Sequence, residues 1–128
     1  MTSGQANFYF IVEHLQHKST VVMNWIALII AGILEIGWPL GLKMSQQQGN
    51  NKTLWILLAV LSMAISGGLL WYSQKSIPIG TAYAVWTGIG AVGTLVVGIF
   101  FFGDSASILR LLAALLIVIG IVGLKFAN

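Results

Sequence analysis

A chain of 128 residues that is 58% hydrophobic and 7% charged cannot be held in water by its own surface, so a soluble domain is excluded and lipid is its solvent. Its net charge is +3, but the basic residues are scattered at the ends of apolar runs and form no basic face, which argues against a nucleic-acid partner. With no cysteine there is no disulfide, thiolate metal site or thiol nucleophile, and no redox chemistry or cofactor is expected.

Residues 1–22 stand apart as an N-terminal extension that mixes polar positions with one apolar run, 8–12 (FYFIV). That run is too short to span a bilayer, and the extension lacks the basic leader, long apolar region and cleavage site of a signal peptide. It is expected to be mobile or to lie outside the core fold, with Met23 as an alternative start of the working protein. Glu13, His14 and His17 could be drawn as a metal cluster, but polar side chains on a tail are usually solvated, and no metal site is expected.

From Met23 onward the chain carries apolar runs at 25–42, 53–74, 79–103 and 108–124. Each approaches the roughly 20 residues that a helix needs to cross a hydrocarbon core of about 30 Å. The runs predict an all-α membrane domain over 23–128 with four transmembrane helices, at about 24–44, 53–74, 79–102 and 106–126. Continuous apolarity without period-two alternation excludes a β-barrel. The short polar connections make consecutive helices antiparallel. Lys43, Lys75, Arg110 and Lys125 fall where long side chains anchor at the membrane surface.

The first span holds the one acid inside any apolar run, Glu35. A carboxyl at that depth is costly, so it marks either a pathway or binding site or a structural interhelical hydrogen bond. Gly32 and Trp38 share its face at three-residue spacing. Lipid disfavours the ionised carboxylate, and a second copy of Glu35 across a dimer axis would repel it further. Such a pair would hold protons until an incoming cation displaced them. Pro39 removes the amide that would bond the carbonyl of Glu35, loosening the helix at the acid itself. The loop that follows, 44–52 (MSQQQGNNK), is rich in amides that prefer water and turns.

The second span contributes Ser62, Ser66, Gly67 and Gly68, small residues that permit close packing, with Ser66 free to make a polar contact. Pro78 suits the first turn of the third helix. There, Tyr83, Trp86, Thr87 and Gly90 share one helical face. Such a stripe can hold a planar cation against its rings while the hydroxyl and indole groups orient carboxylates, or it can be packing or an interfacial belt. The glycines of this helix, Gly88, Gly90, Gly93 and Gly98, make it the candidate bending element. Asp104 or Ser105 is placed to cap the fourth helix. That helix is apolar beyond Arg110, and Ala113, Gly120 and Gly123 form a small-residue face suited to dimerisation.

Orientation is undetermined by charge. Lys18, Lys75 and Lys125 fall on one side and Lys43, Lys52 and Arg110 on the other, so the usual cytoplasmic excess of lysine and arginine is absent. A chain without preference can insert both ways, and two oppositely oriented copies would together supply the inverted symmetry that many transporters build from internal repeats.

The residues 31–38 (AGILEIGW), 41–43 (GLK) and above all 80–93 (GTAYAVWTGIGAVG) make the chain resemble the small multidrug resistance family over residues 24–125. Trp38, Ser66 and Thr87 lean toward its guanidinium-exporter branch, while Tyr83 and Trp86 look like the aromatic pair of the drug-exporting branch. The resemblance implies an antiparallel, dual-topology homodimer in the bacterial inner membrane, a secondary active transporter that exchanges protons for guanidinium at a site made from both copies of Glu35. It further implies that Trp38, Ser66, Tyr83 and Trp86 line that site, that Gly32 leaves room beside the carboxylate, and that Thr87, Ser62 and Pro39 are secondary positions. The chain departs from the family pattern at Pro39, where a small non-proline residue is commoner, and in a longer first loop and the N-terminal tail. Broader export of quaternary ammonium or multidrug cations, or service as one half of a heterodimeric pair, are the alternatives. An enzyme is excluded, because no paired nucleophile and base exists in the helices.

Overall fold

Where the apolar runs lie, the chain is helical. The computed structural model describes residues 3–127, so Met1, Thr2 and Asn128, which the expected extension and transporter domain include, lie outside the described residues. Five helices follow in order: α1 (Ser3–Glu35), α2 (Gly37–Ser45), α3 (Lys52–Ser73), α4 (Ile79–Phe102) and α5 (Ile108–Phe126). Four helical stretches are long and apolar enough to cross a membrane, with α1 and α2 together making the first.

The first span, expected over about 24–44, divides at Ile36 into α1 and α2. Pro39 cannot donate to the carbonyl of Glu35. The ladder therefore slips: the amide of Ile36 bonds Ile33 O at 3.2 Å, three residues back, and the regular register resumes with Leu40 N to Ile36 O at 3.3 Å. Glu35 is thus the last residue of one helix and Trp38 belongs to the first turn of the next. At the other end, α1 begins at Ser3 rather than near Met23. Its 33 residues run about 50 Å, more than the bilayer core needs. In the turns before the span, from Asn7 to Thr20, every side chain is exposed except the half-buried Val12.

Local chemistry sets the other boundaries. Asn51 accepts the amide of Leu54 at 3.1 Å and starts α3. Pro78 stands at the N-cap of α4, and Gly103, with φ +69°, ends that helix in a left-handed turn that a side chain would strain. The cap of α5 is Ser107, whose hydroxyl accepts the amide of Arg110 at 3.4 Å, not Asp104 or Ser105 as the sequence suggests. Those two residues are drawn instead to the Arg110 guanidinium, which sits 3.7 Å from the Asp104 carboxylate and donates to Ser105 O at 2.6 Å.

Helix α1 packs against α3 and α4, α2 against α3, and α5 against α4. The fully packed region is small and lies where α1 enters the span: Leu28, Ile77, Ala82 and Val85, with Trp25, Leu70, Trp86, Ile89 and Ile121 around them. Beside it the buried Asn24 donates from Nδ2 to Ser76 Oγ at 2.6 Å, and Lys125 at the end of α5 reaches Trp25, its ammonium 5.6 Å from the ring centroid. Elsewhere large apolar side chains point outward, as a chain dissolved in lipid requires.

Candidate functional site

The helix break delivers Glu35 to the middle of the bundle with its two oxygens held from two directions. Trp38, three residues on, donates its indole N–H to Oε1 at 2.7 Å. Ser66, fully buried on α3, lies 3.0 Å from Oε2. The same hydroxyl is 2.8 Å from the carbonyl of Ala31 and accepts the indole N–H of Trp86 on α4 at 2.8 Å. Side chains of α2, α3 and α4 therefore converge on a single carboxyl, Trp38 and Ser66 directly and Trp86 through Ser66.

The Ser66 hydroxyl can bond the carboxyl in either of its forms. Ser66 has one hydrogen and two acceptors, Ala31 O and Glu35 Oε2. With Glu35 ionised, the hydroxyl serves the carboxylate. With Glu35 protonated, the acid can donate to Ser66 Oγ while Ser66 turns its hydrogen to the Ala31 carbonyl. Both states keep their hydrogen bonds, which a buried polar network must do to avoid a large desolvation penalty. Each carboxylate oxygen accepts one bond from the protein and keeps lone pairs for a further donor.

Beside the carboxyl, between α2 and α4, lies a cavity of about 300 Å³ lined by Glu35, Trp38, Pro39, Thr87, Gly90, Ala91 and Thr94. Gly90 makes the approach possible, since a Cβ there would meet Glu35 Cγ at 2.6 Å. Gly32, by contrast, leaves room for Ile89, whose Cβ a side chain at position 32 would meet at 2.8 Å. Which glycine faces the acid depends on how α1 and α4 are rotated against each other, and spacing within one helix does not carry that information. Ala91 and Thr94 were not singled out from the sequence. Both continue the stripe of Thr87 and Gly90 at offsets of four and seven, so extending that face by one turn finds them.

The remaining expected positions distribute themselves around this centre. Tyr83, 56% exposed, lies with its ring centroid 5.5 Å from that of Trp86, one turn from the cavity rather than in its wall. Thr87 lines the cavity but bonds its hydroxyl back to Tyr83 O at 2.8 Å. Ser62 turns away from the carboxyl and donates to Leu34 O at 2.7 Å, tying α3 to α1 one residue before the acid. Ala113, Gly120 and Gly123 all fall on the exposed surface of α5, and a Cβ at Gly120 or Gly123 would meet open space. Glu13, His14 and His17 are exposed on the first turns of α1, His14 stacked on Phe10 at 6.3 Å. No group of three metal-ligating side chains occurs among the described residues.

Glu35, its partners Trp38, Ser66 and Trp86, and the cavity lining all lie within a stretch, residues 23–119, that matches a family model described as Small Multidrug Resistance protein. The chain belongs to the small multidrug resistance family. Among relatives of that family, it is 50% identical over 106 residues to a guanidinium exporter of Proteus vulgaris, a match covering 83% of this chain and 100% of that one. It is 52% identical to a guanidinium exporter of Yersinia pseudotuberculosis, with the same coverage. It is 49% identical to one of Escherichia coli strain K12, covering 83% of this chain and 99% of the relative. As a small multidrug resistance protein with four helical stretches able to cross the bilayer, the chain is a multi-pass transport protein of the bacterial inner membrane. The turns of α1 before Met23 precede the part that matches the family.

Proposed function

We propose that the chain exports guanidinium ions in exchange for protons, working as an antiparallel dual-topology homodimer in which the two Glu35 carboxylates alternately hold protons or substrate. The observation that carries this reading is the Glu35 carboxyl itself. It is the one acid within the apolar runs of the sequence, is met by Trp38 at 2.7 Å and Ser66 at 3.0 Å, and opens on a cavity of about 300 Å³. Three relatives at about half identity that bear the name guanidinium exporter support the substrate.

The chemistry fits. A guanidinium is planar, stays charged at neutral pH and presents N–H donors in a fork that matches a carboxylate bidentately. Bound there, it stabilises the ionised acid, and in a low-dielectric site a proton and a guanidinium cannot both be held by the same carboxylate. Competition for one group is what couples the two fluxes. The hydroxyl of Ser66, able to donate or accept, lets the site pass between its two states without leaving a buried group unpaired.

The dimer is supported by two features. Lysines and arginines give no preferred orientation, and α5 packs chiefly on α4, with Lys125 reaching Trp25 of α1, while exposing Ala113, Gly120 and Gly123, small residues of the kind that let membrane helices approach closely. Two opposed copies would bring two Glu35 sites into one chamber.

Purified protein in liposomes is expected to take up guanidinium when a proton gradient is imposed, and Glu35→Gln to reduce that uptake to the level of empty liposomes. Gradient-driven uptake by Glu35→Gln at the wild-type rate would contradict the reading.

A further inference from the structure

We propose that the outer face of α1 and α3 holds one anionic phospholipid, with an acyl chain in a groove between the helices and the phosphate on Lys75. The groove has a volume of about 310 Å³ and is lined by Met23, Ile26, Ala27, Ile30, Leu69 and Tyr72. It is almost wholly hydrocarbon, and it extends from Met23 to Ile30, about 10 Å along the helix axis. It starts at the surface end of the span and runs inward, the direction in which an acyl chain lies.

The groove's mouth is cationic. Tyr72 forms part of its wall, and the ammonium of Lys75 sits 4.7 Å from the Tyr72 ring centroid and 5.2 Å from that of Trp71. Two aromatic rings and a lysine at a helix end mark the depth of the headgroups. The ring faces hold the ammonium in place, yet it has no ion pair among the described residues, so its N–H donors remain open to a phosphate. Basic positions between membrane helices recognise anionic headgroups in this way. A second copy of the chain is the poorer occupant. It brings a net charge of +3, and of its three acids Asp104 faces Arg110 and Glu35 is held by Trp38 and Ser66, which leaves Glu13, exposed on the turns of α1 before the span, as the one carboxylate it could offer. Lys125 offers an internal control, since it too stands over an aromatic ring, that of Trp25, which lines no part of the groove.

The test is native mass spectrometry of the full-length protein released from micelles containing equal amounts of phosphatidylglycerol and phosphatidylcholine with identical acyl chains. Wild type is expected to retain phosphatidylglycerol about five-fold over phosphatidylcholine. Lys75→Gln is expected to bring the ratio to about one, while Ile30→Trp, at a position exposed enough to accept the larger ring, lowers retention of both lipids. Lys125→Gln should leave the ratio unchanged. Equal retention by wild type, or an unchanged ratio in Lys75→Gln, would overturn the proposal, as would an equal loss in Lys125→Gln. Full displacement by soluble glycerol phosphate would also overturn it, by showing that a headgroup binds without the groove.

Discussion

Where α1 enters the bundle, the helices are pinned. Asn24 bonds Ser76 at 2.6 Å, Lys125 covers Trp25, and Leu28, Ile77, Ala82 and Val85 are buried to 2% exposure or less. Toward the opposite end, cavities of about 240 and 350 Å³ open between α2 and α4 themselves, around Pro39, Leu40, Val97 and Phe102, whereas the groove at the pinned end lies on the outer face of α1 and α3. Glu35 stands between the two regimes, with its own cavity sharing Pro39 and Thr94 with the first of these. The contrast teaches where a four-helix transporter can yield. Apolar side chains gain little by leaving lipid for a helix interface, so close packing and a few polar bonds decide which contacts hold. In the antiparallel pair proposed above, the pinned end of one copy lies beside the loose end of the other. Each membrane face would then carry one rigid and one yielding half.

The comparison can be broken most severely at the carboxyl. Gly90→Leu places a side chain where a Cβ already meets Glu35 Cγ at 2.6 Å, and guanidinium uptake is expected to fall at least about 100-fold, roughly 2.7 kcal/mol of lost function. Uptake near wild type would show that the space beside Glu35 is not used. Next in size is the pinned end. Leu28→Ala removes a side chain with 0% exposure and is expected to cost about 2–5 kcal/mol in detergent unfolding while leaving KM for guanidinium unchanged. An altered KM with unchanged stability would reverse the assignment of the two ends. The mildest change sharpens the loose end. Pro39→Ala restores a donor for the Glu35 carbonyl and straightens the break, so melting should rise by a few degrees and KM should shift only about two- to five-fold. A proline that is merely tolerated would leave KM unmoved.

Much of this was legible in the sequence, because in lipid the strongest signals are local. Runs of apolar residues mark the spans, and a single acid within them is conspicuous. Pro39 announced a weakness at Glu35 because its missing N–H is a property of one residue, although the full separation into α1 and α2 appears only when the slipped bond from Ile36 to Ile33 is seen. What stayed hidden depends on relations between helices. Gly32 and Gly90 look alike in sequence, and only the rotation of α4 against α1 decides that Gly90 abuts the carboxyl. Ser62 and Ser66 are one turn apart on α3, yet Ser62 bonds the Leu34 carbonyl while Ser66 meets the acid as well as the carbonyl of Ala31. The cap of α5 was misplaced for a similar reason, since Asp104 and Ser105 are recruited by Arg110, which leaves the capping to Ser107. The helical start of α1 escaped because its polar and apolar residues form no run long enough to mark a span.

Proton release on ligand binding tests the central claim most directly. Purified protein, weakly buffered in detergent with a pH indicator, is mixed with guanidinium chloride and compared with the same concentration of sodium chloride. The account predicts acidification that saturates with guanidinium and is absent in Glu35→Gln. Guanidinium binding that releases no protons, or equal release from Glu35→Gln, would contradict it.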